Sequence, residues 1–139
     1  MSVTLTALRN ITLIRPSKVE KVGLCWYVHF ANDKNYNKGL KSERHYDATA
    51  DKEFNVGNWT YYNNFVEWLL ATFPNMKPFE FSLKTYAINS EFCNQIFKAL
   101  DANMHLIGSH IHNSEYHQTY LDLHSAFKFT GTRGLVIFE

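Results

Sequence analysis

The chain has 139 residues, with 14 Lys and Arg against 13 Asp and Glu, so its net charge is +1. Because 45% of the residues are hydrophobic and 16% are aromatic, the chain is too apolar to be disordered or of low complexity, and it is long enough to bury a core. The near-neutral balance matches neither the clustered positive charge of duplex-binding proteins nor the acidic excess of a DNA mimic.

The first part of the chain predicts strands and a long polar loop. Ile11–Arg15 is rich in β-forming residues and ends at Pro16, which cannot donate to a strand ladder. In Gly23–Ala31 apolar residues occupy both alternating faces, which predicts a central strand covered on both sides. Residues 32–57 are rich in Asn, Asp and Lys and predict a long polar loop, with a short edge strand around Glu53–Val56.

Three helices are predicted in the second part, at 58–73, at about 90–102 and at 114–127. Asn58 is a good N-cap for the first helix, and Pro74 ends it by disfavouring helical geometry in the residue before it. Each of the three segments has apolar residues at spacings of three and four, which is typical of a helix that packs one face onto a core.

Three further strands are predicted between and after these helices, at Phe79–Tyr86, His105–His112 and Leu135–Phe138. The mixed order of elements, with strands early in the chain, predicts an α+β sandwich. We therefore expect residues 1–139 to form a single α+β domain, in which a mainly antiparallel sheet of about five strands packs with about three helices.

Cysteine usage and hydropathy favour a cytoplasmic protein. Cys25 and Cys93 lie in apolar segments and are predicted to be buried, reduced thiols. The N-terminal segment lacks the pattern of a signal peptide, and no run approaches the roughly 18 apolar residues that span a bilayer. We expect no membrane partner and no cofactor.

Five of the seven histidines fall between residues 105 and 124. On a strand His110 and His112 share a face, and on a helix His117 and His124 are two turns apart on one face. His110, His112 and His117 are thus candidate ligands of Zn²⁺ or a similar ion, although no His-Glu-x-x-His or Cys-x-x-Cys motif is present. Without a metal, these four histidines are candidates for general acid–base cleavage of a phosphodiester, with Arg133 stabilising the transition state.

His117-Gln118-Thr119 matches the pattern His-x-Thr. It resembles one half of the signature of the 2H phosphoesterases, which cut phosphodiesters with two such motifs. The second motif is missing, because neither residues 110–112 nor residues 124–126 carry a hydroxyl at the required position. The chain is therefore not assigned to that family.

The polar loop combines cations with aromatic residues, as single-strand nucleic-acid-binding proteins do. Acidic residues in the same segment dilute its positive charge, so we treat binding of RNA or single-stranded DNA as an alternative function. The loop also forms part of a predicted partner-binding set. Its members here are Lys34, Tyr36, Lys38, Lys41 and Arg44.

The function that the sequence favours is binding of another protein. No nucleophile motif or phosphate-binding glycine loop is present, and we predict an inhibitor or immunity-type protein, of the anti-defence or anti-toxin kind found in mobile elements, that occludes its partner. Trp59, Tyr61 and Trp68 are the predicted anchors, and we expect one or two of them to be solvent-exposed. The alternatives are a histidine-dependent phosphodiesterase or nuclease, with or without a metal, and a nucleic-acid-binding protein. The oligomeric state stays open.

Overall fold

Seven strands and three helices make up the part of the chain that the computed structural model describes, residues 2–79, 87–107 and 114–139. The predicted α+β class is confirmed. The strands are β1 (Ser2–Arg9), β2 (Thr12–Leu13), β3 (Trp26–Val28), β4 (Arg44–Asp47), β5 (Ala50–Asn58), β6 (Ala87–Asn89) and β7 (Leu135–Phe138), and the helices are α1 (Trp59–Thr72), α2 (Ser90–Ala102) and α3 (Ser114–Phe129).

The strands form two antiparallel sheets, a four-stranded one in the order β5-β1-β7-β6 and a three-stranded one in the order β2-β4-β3. We call the three-stranded one the small sheet. Alternation along β1 sends Val3, Leu5 and Ala7 into the core shared with the helices, and Leu8 into a second core shared with the small sheet. The four-stranded sheet is therefore the middle of three layers, with the helices on one face and the small sheet on the other.

Local signals set the helix boundaries as the sequence predicts. At the start of α1 the Asn58 Oδ1 accepts a hydrogen bond from the Tyr61 N–H at 2.8 Å, and the helix ends before Pro74. At the start of α2 the Asn89 Oδ1 accepts from the Phe92 N–H at 2.9 Å. Such caps satisfy amide groups that have no partner inside the helix, and they confirm the predicted positions of both helices.

The predicted central strand was wrong. Gly23–Ala31 contributes only the three residues of β3, at one edge of the small sheet, and Leu24 and Tyr27 are exposed. The interior of the larger sheet is occupied instead by β1, where no strand was predicted. Ile11–Arg15 pairs only over the two residues of β2. The small and medium-sized apolar side chains of β1 fit between two closely packed layers. The large rings of Trp26 and Tyr27 in Gly23–Ala31 fit less well in that space.

The predicted loop at about 32–57 is also shorter than expected, because β4 and most of β5 lie within it. β5 is an edge strand, as predicted around Glu53–Val56, but it is longer and pairs with β1 over most of its length. Irregular chain and a 3-10 turn at Asn35–Asn37 remain up to residue 43.

The remaining strand predictions have mixed outcomes. β7 confirms the final strand. Nearly all of the strand predicted at 79–86 lies outside the described residues. The strand predicted to begin at His105 begins instead with a 3-10 turn, Met104–Leu106, and residues 108–113 are not among those described. Both cysteines are free thiols, Cys93 buried and Cys25 half-buried. No helix in the described ranges has the length and apolar character to cross a membrane.

Candidate binding surfaces

Two buried asparagines fix the polar loop in place. The Asn37 Oδ1 accepts a hydrogen bond from the Lys34 N–H at 2.9 Å. The Asn89 Nδ2 donates to the carbonyl oxygens of Asn35 and Lys38, both at 3.0 Å. Because Asn89 also caps α2, the same side chain ties the loop to the start of that helix. The loop is therefore held against the body of the protein by satisfied buried polar groups.

The lysines of this loop gather at one depression. Lys34, Lys38 and Lys41 line a concave region of about 630 Å³. The interleaved tyrosines do not face it as stacking platforms. Tyr46 is buried and its hydroxyl accepts the Lys41 N–H at 2.8 Å, while Tyr36 is half-buried against the main core. The loop thus presents cations without the exposed rings that single-strand binding uses.

Arg44, the remaining cation of the predicted set, lies apart from that depression, on β4. Its Nη2 donates to the carbonyl oxygen of Ile14 at 3.1 Å, and its Nε is buried with no hydrogen-bond partner in the described part of the chain. The side chain is half-buried and lines a depression of about 310 Å³ with Glu43 and His45. Arg44 therefore joins β4 to the end of β2.

The predicted anchor Tyr61 connects α1 to α3. Its hydroxyl donates to the Glu115 carbonyl oxygen at 2.8 Å and lies 2.9 Å from the Thr119 hydroxyl. Since the single phenolic proton is used on the carbonyl, Thr119 is the donor in the second bond. Tyr61 is half-buried, and its polar end is engaged inside the protein.

The other two predicted anchors, Trp59 and Trp68, are half-buried as well. The Trp68 ring centroid lies 5.2 Å from that of Tyr116 on α3, and the Trp59 ring meets Tyr62 edge-on at 6.3 Å. Both tryptophans pack against the main core. All three predicted anchors are half-buried, so none is fully buried and none is fully exposed to solvent. This differs from the prediction that one or two of them are solvent-exposed.

The histidines that lie in the described ranges do not converge with Arg133. His117 and His124 are separated by seven residues of α3, which is about 10 Å along the helix axis. His124 Nε2 is 3.0 Å from the Asp101 carboxylate, and its ring packs on Phe97 at 5.1 Å, so it joins α3 to α2. Arg133 is exposed beyond the far end of α3, about 18 Å of helix from His117.

The other two candidate ligands and catalytic residues, His110 and His112, lie outside the described residues. Within the ranges that are described, no three His, Cys, Asp or Glu side chains are grouped as a metal ion requires. The described geometry therefore engages His124 in a contact between α3 and α2, and it separates His117 from Arg133 by most of the length of α3.

Burial keeps three titratable core groups in their protonated forms. It raises the pKa of the Cys93 thiol and of the Tyr62 phenol, and it raises the pKa of Tyr120 to about 12. The Tyr120 hydroxyl donates to the Leu100 carbonyl oxygen at 2.6 Å. These groups serve packing and hydrogen bonding, since a protonated, buried thiol is inert as a nucleophile.

The small sheet carries the exposed hydrophobic side chains. Among the described residues, the large hydrophobic residues that are exposed are Leu13, Leu24 and Tyr27, at 37%, 69% and 47% of their full accessible area. Leu13 is on β2, Tyr27 is on β3, and Leu24 is in the segment that leads into β3. Sequence reasoning missed Leu24 and Tyr27, because it assigned Gly23–Ala31 to a central strand covered on both sides. For Ile11–Arg15, which contains Leu13, it predicted a strand and made no prediction of exposure.

Tyr27 is exposed yet held in place by its neighbours. It lies opposite His45 in the β3–β4 register, and the two ring centroids are 5.0 Å apart. The His29 ring is parallel to the Tyr27 ring within 4°, at 6.5 Å. The two imidazoles therefore restrict the tyrosine ring without removing it from solvent.

Comparison with protein-family models, with curated proteins and with solved structures finds no match to this chain.

Proposed function

We propose that this protein binds another protein and acts by occluding the surface that it covers, with the small sheet as the contact surface. The observation that carries the proposal is the exposure of Tyr27 on the outer face of the small sheet and of Leu24 in the segment that leads into β3. Leu13 is opposite Tyr46, and so it lies on the other face of that sheet. The large hydrophobic residues elsewhere in the described ranges are buried or half-buried. Single exposed leucines are ordinary, so the proposal rests chiefly on the exposed ring of Tyr27, with the exposed Leu24 three residues before it in the chain.

Tyr27 has the properties of an interface anchor. Its ring is restricted by His29 and His45, so little side-chain entropy remains to be lost on binding. Tyrosine is enriched among the residues that dominate binding free energy. β3 is also an edge strand, so its outer backbone groups are open to pairing with a strand of the partner.

This surface supports the class of function predicted from the sequence, a small inhibitor or immunity-type protein of the anti-defence or anti-toxin kind, acting in the cytoplasm. Such a protein needs a stable scaffold and one exposed contact region. The two alternatives have less support. His117 and His124 are two turns apart on α3, and Arg133 lies beyond the end of that helix. In the polar loop, Tyr46 is buried and Tyr36 is half-buried against the core.

The test begins with the wild-type protein as bait in a nuclease-treated lysate of its native host. A captured protein is purified, and its Kd for the wild type is compared with that for the double variant Leu24→Ser, Tyr27→Ser. Because loss of an anchor typically costs 2 kcal/mol or more, the double variant is expected to bind at least about 30-fold more weakly.

The matched control is Gln95→Ser with Lys98→Ser, two exposed positions on α2, which is expected to bind as the wild type does. Equal binding by the small-sheet variant and the wild type would show that another surface makes the contact. If the wild type captured no protein at all, the binding function itself would be rejected.

A further inference from the structure

Three cations meet on the helix side of the larger sheet, at the C-terminal end of α3. Arg9 is the last residue of β1, Lys52 lies on the adjacent β5, and Lys128 belongs to the last turn of α3. Together with Ser125 and Phe129 they line one depression of about 370 Å³. We call it the Phe129 depression.

The strand register brings two of these cations to the same side of the sheet. Arg9 pairs with Ala50, and Ala7 pairs with Lys52. Directly opposite residues of an antiparallel pair share a face, and so do residues two apart on a strand. Since Ala7 belongs to the core under the helices, Arg9 and Lys52 both project towards α3.

Arg9 is held in one position by Phe129. Its Nε donates to the Phe129 carbonyl oxygen at 2.9 Å, and its guanidinium carbon lies 4.1 Å from the centroid of the Phe129 ring. The Lys52 ammonium lies 5.6 Å from the same centroid, so the two cations are at most about 10 Å apart. The terminal nitrogens of Arg9 have no partner among the described residues, and they present the planar fork that suits a phosphate oxygen pair.

The positive charge of this depression is larger than the partial negative charge of the C-terminus of α3 beside it. A helix C-terminus carries about half a negative charge, which favours nearby cations, but three full positive charges leave an excess of about 2.5. In the described ranges the only ion pair within 4.0 Å is His124 with Asp101, so no described carboxylate is ion-paired with the cluster. Asp51 and Glu53 of β5 alternate to the opposite face of the sheet.

We infer that the Phe129 depression binds a compact phosphoryl dianion, either inorganic phosphate or the terminal phosphate of a small molecule. Two lysine ammonium groups and the arginine fork supply charge-assisted hydrogen bonds, and Ser125 adds a hydroxyl donor. A nucleic-acid strand fits less well, because the Phe129 ring is covered by Arg9 and a net charge of +1 gives no extended basic stripe.

The site is independent of the proposed protein-binding surface. The Phe129 depression lies on the helix face of the larger sheet, and the small sheet packs on the other face. Failure of phosphate binding would therefore leave the small-sheet proposal unchanged, and the reverse also holds.

The test follows amide chemical shifts of the wild-type protein during titration with sodium phosphate, pyrophosphate and adenosine monophosphate, at an ionic strength held constant with sodium chloride. Saturable shifts are expected at Arg9, Lys52, Ser125, Lys128 and Phe129. Lys52→Gln and Lys128→Gln, at exposed positions, are each expected to weaken binding about fivefold. Lys98→Gln on α2 is the matched control and is expected to leave the affinity unchanged.

Comparison of the three probes separates the two sources of the phosphoryl group. Equal affinity for all three probes would show that the site recognises the phosphate group alone. Tighter binding of adenosine monophosphate would show that the site recognises a phosphorylated small molecule. Non-saturating shifts that chloride reproduces would overturn the site, as would an equal loss in Lys98→Gln. A single-stranded oligonucleotide is titrated in the same way, and tight binding of it here without binding of pyrophosphate would overturn the compact-anion assignment in favour of nucleic acid.

Discussion

The two sheets use similar residue types for different purposes. The four-stranded sheet is covered on both faces, and its strands bring Val3, Leu5 and Phe138 to full or nearly full burial. The small sheet consists of strands of two, three and four residues, and it buries Val28 and Tyr46 on its inner side while Tyr27 stays exposed. One sheet has both faces covered by other layers, and the other leaves one face exposed.

This difference separates the part of the molecule that holds most of the buried core from the surface that we propose binds a partner. Substitutions in the larger sheet and the helices that cover it change buried area, and buried area dominates the free energy of unfolding. Substitutions on the outer side of the small sheet change little buried area. Their effects are expected in binding rather than in folding, and this expectation is open to measurement.

The largest expected contrast is between Phe65→Ala and Tyr27→Ala. Phe65 is fully buried on the inner face of α1. Because removing its ring leaves a cavity, the free energy of unfolding is expected to fall by about 3–5 kcal/mol. Tyr27 is nearly half exposed, and the loss is expected to stay below about 1 kcal/mol. Urea unfolding of both variants measures the difference. Comparable losses would mean that the small sheet is as much a part of the core as α1.

A smaller contrast separates two glycines. A Cβ on Gly134, just before β7, would overlap the carbonyl oxygens of Leu8 and Thr130, so Gly134→Ala is expected to destabilise by about 1–3 kcal/mol or more. At Gly23, before β3, a Cβ would have no atom within 4 Å, and Gly23→Ala is expected to change stability by less than about 0.5 kcal/mol. Thermal melting of the two variants measures the difference in stability. A large loss of stability in Gly23→Ala would reveal tight packing beside the small sheet.

The sequence predicted helices better than strands, for a physical reason. A helix carries its own signals, such as the Asn58 and Asn89 caps and the proline after α1, whereas a strand depends on its neighbours. Gly23–Ala31 has the apolar pattern of a central strand, yet β1 occupies that place. Which of two apolar segments lies inside is decided by tertiary packing, and a single segment does not contain that information.

The candidate surfaces also differ in how far the sequence could predict them. The lysines of the polar loop are close in sequence, and they do line one depression. Arg9 and Phe129 are 120 residues apart, so their contact depends on the β1–β5 register and on how α3 packs. Tyr27 was missed because it lies on the outer face of the small sheet, which no other layer covers. Strand placement was the part of the fold that sequence patterns did not determine.

The smallest contrast lies within the helix layer and tests whether hydrogen bonding or burial alone holds its tyrosines. Tyr62 and Tyr120 are both fully buried, but the Tyr120 hydroxyl donates to the Leu100 carbonyl oxygen, whereas the Tyr62 hydroxyl has no hydrogen-bond partner among the residues that the structure describes. Tyr120→Phe is expected to destabilise by about 1 kcal/mol, and Tyr62→Phe is expected to be neutral or stabilising, because it removes a buried hydroxyl that has lost its water without gaining a bond. Urea unfolding at neutral pH, where both phenols keep their protons, compares the two variants directly. A loss on Tyr62→Phe as large as that on Tyr120→Phe would show that the Tyr62 hydroxyl does have a partner, and the helix layer would then be fully satisfied in its polar groups as well as densely packed.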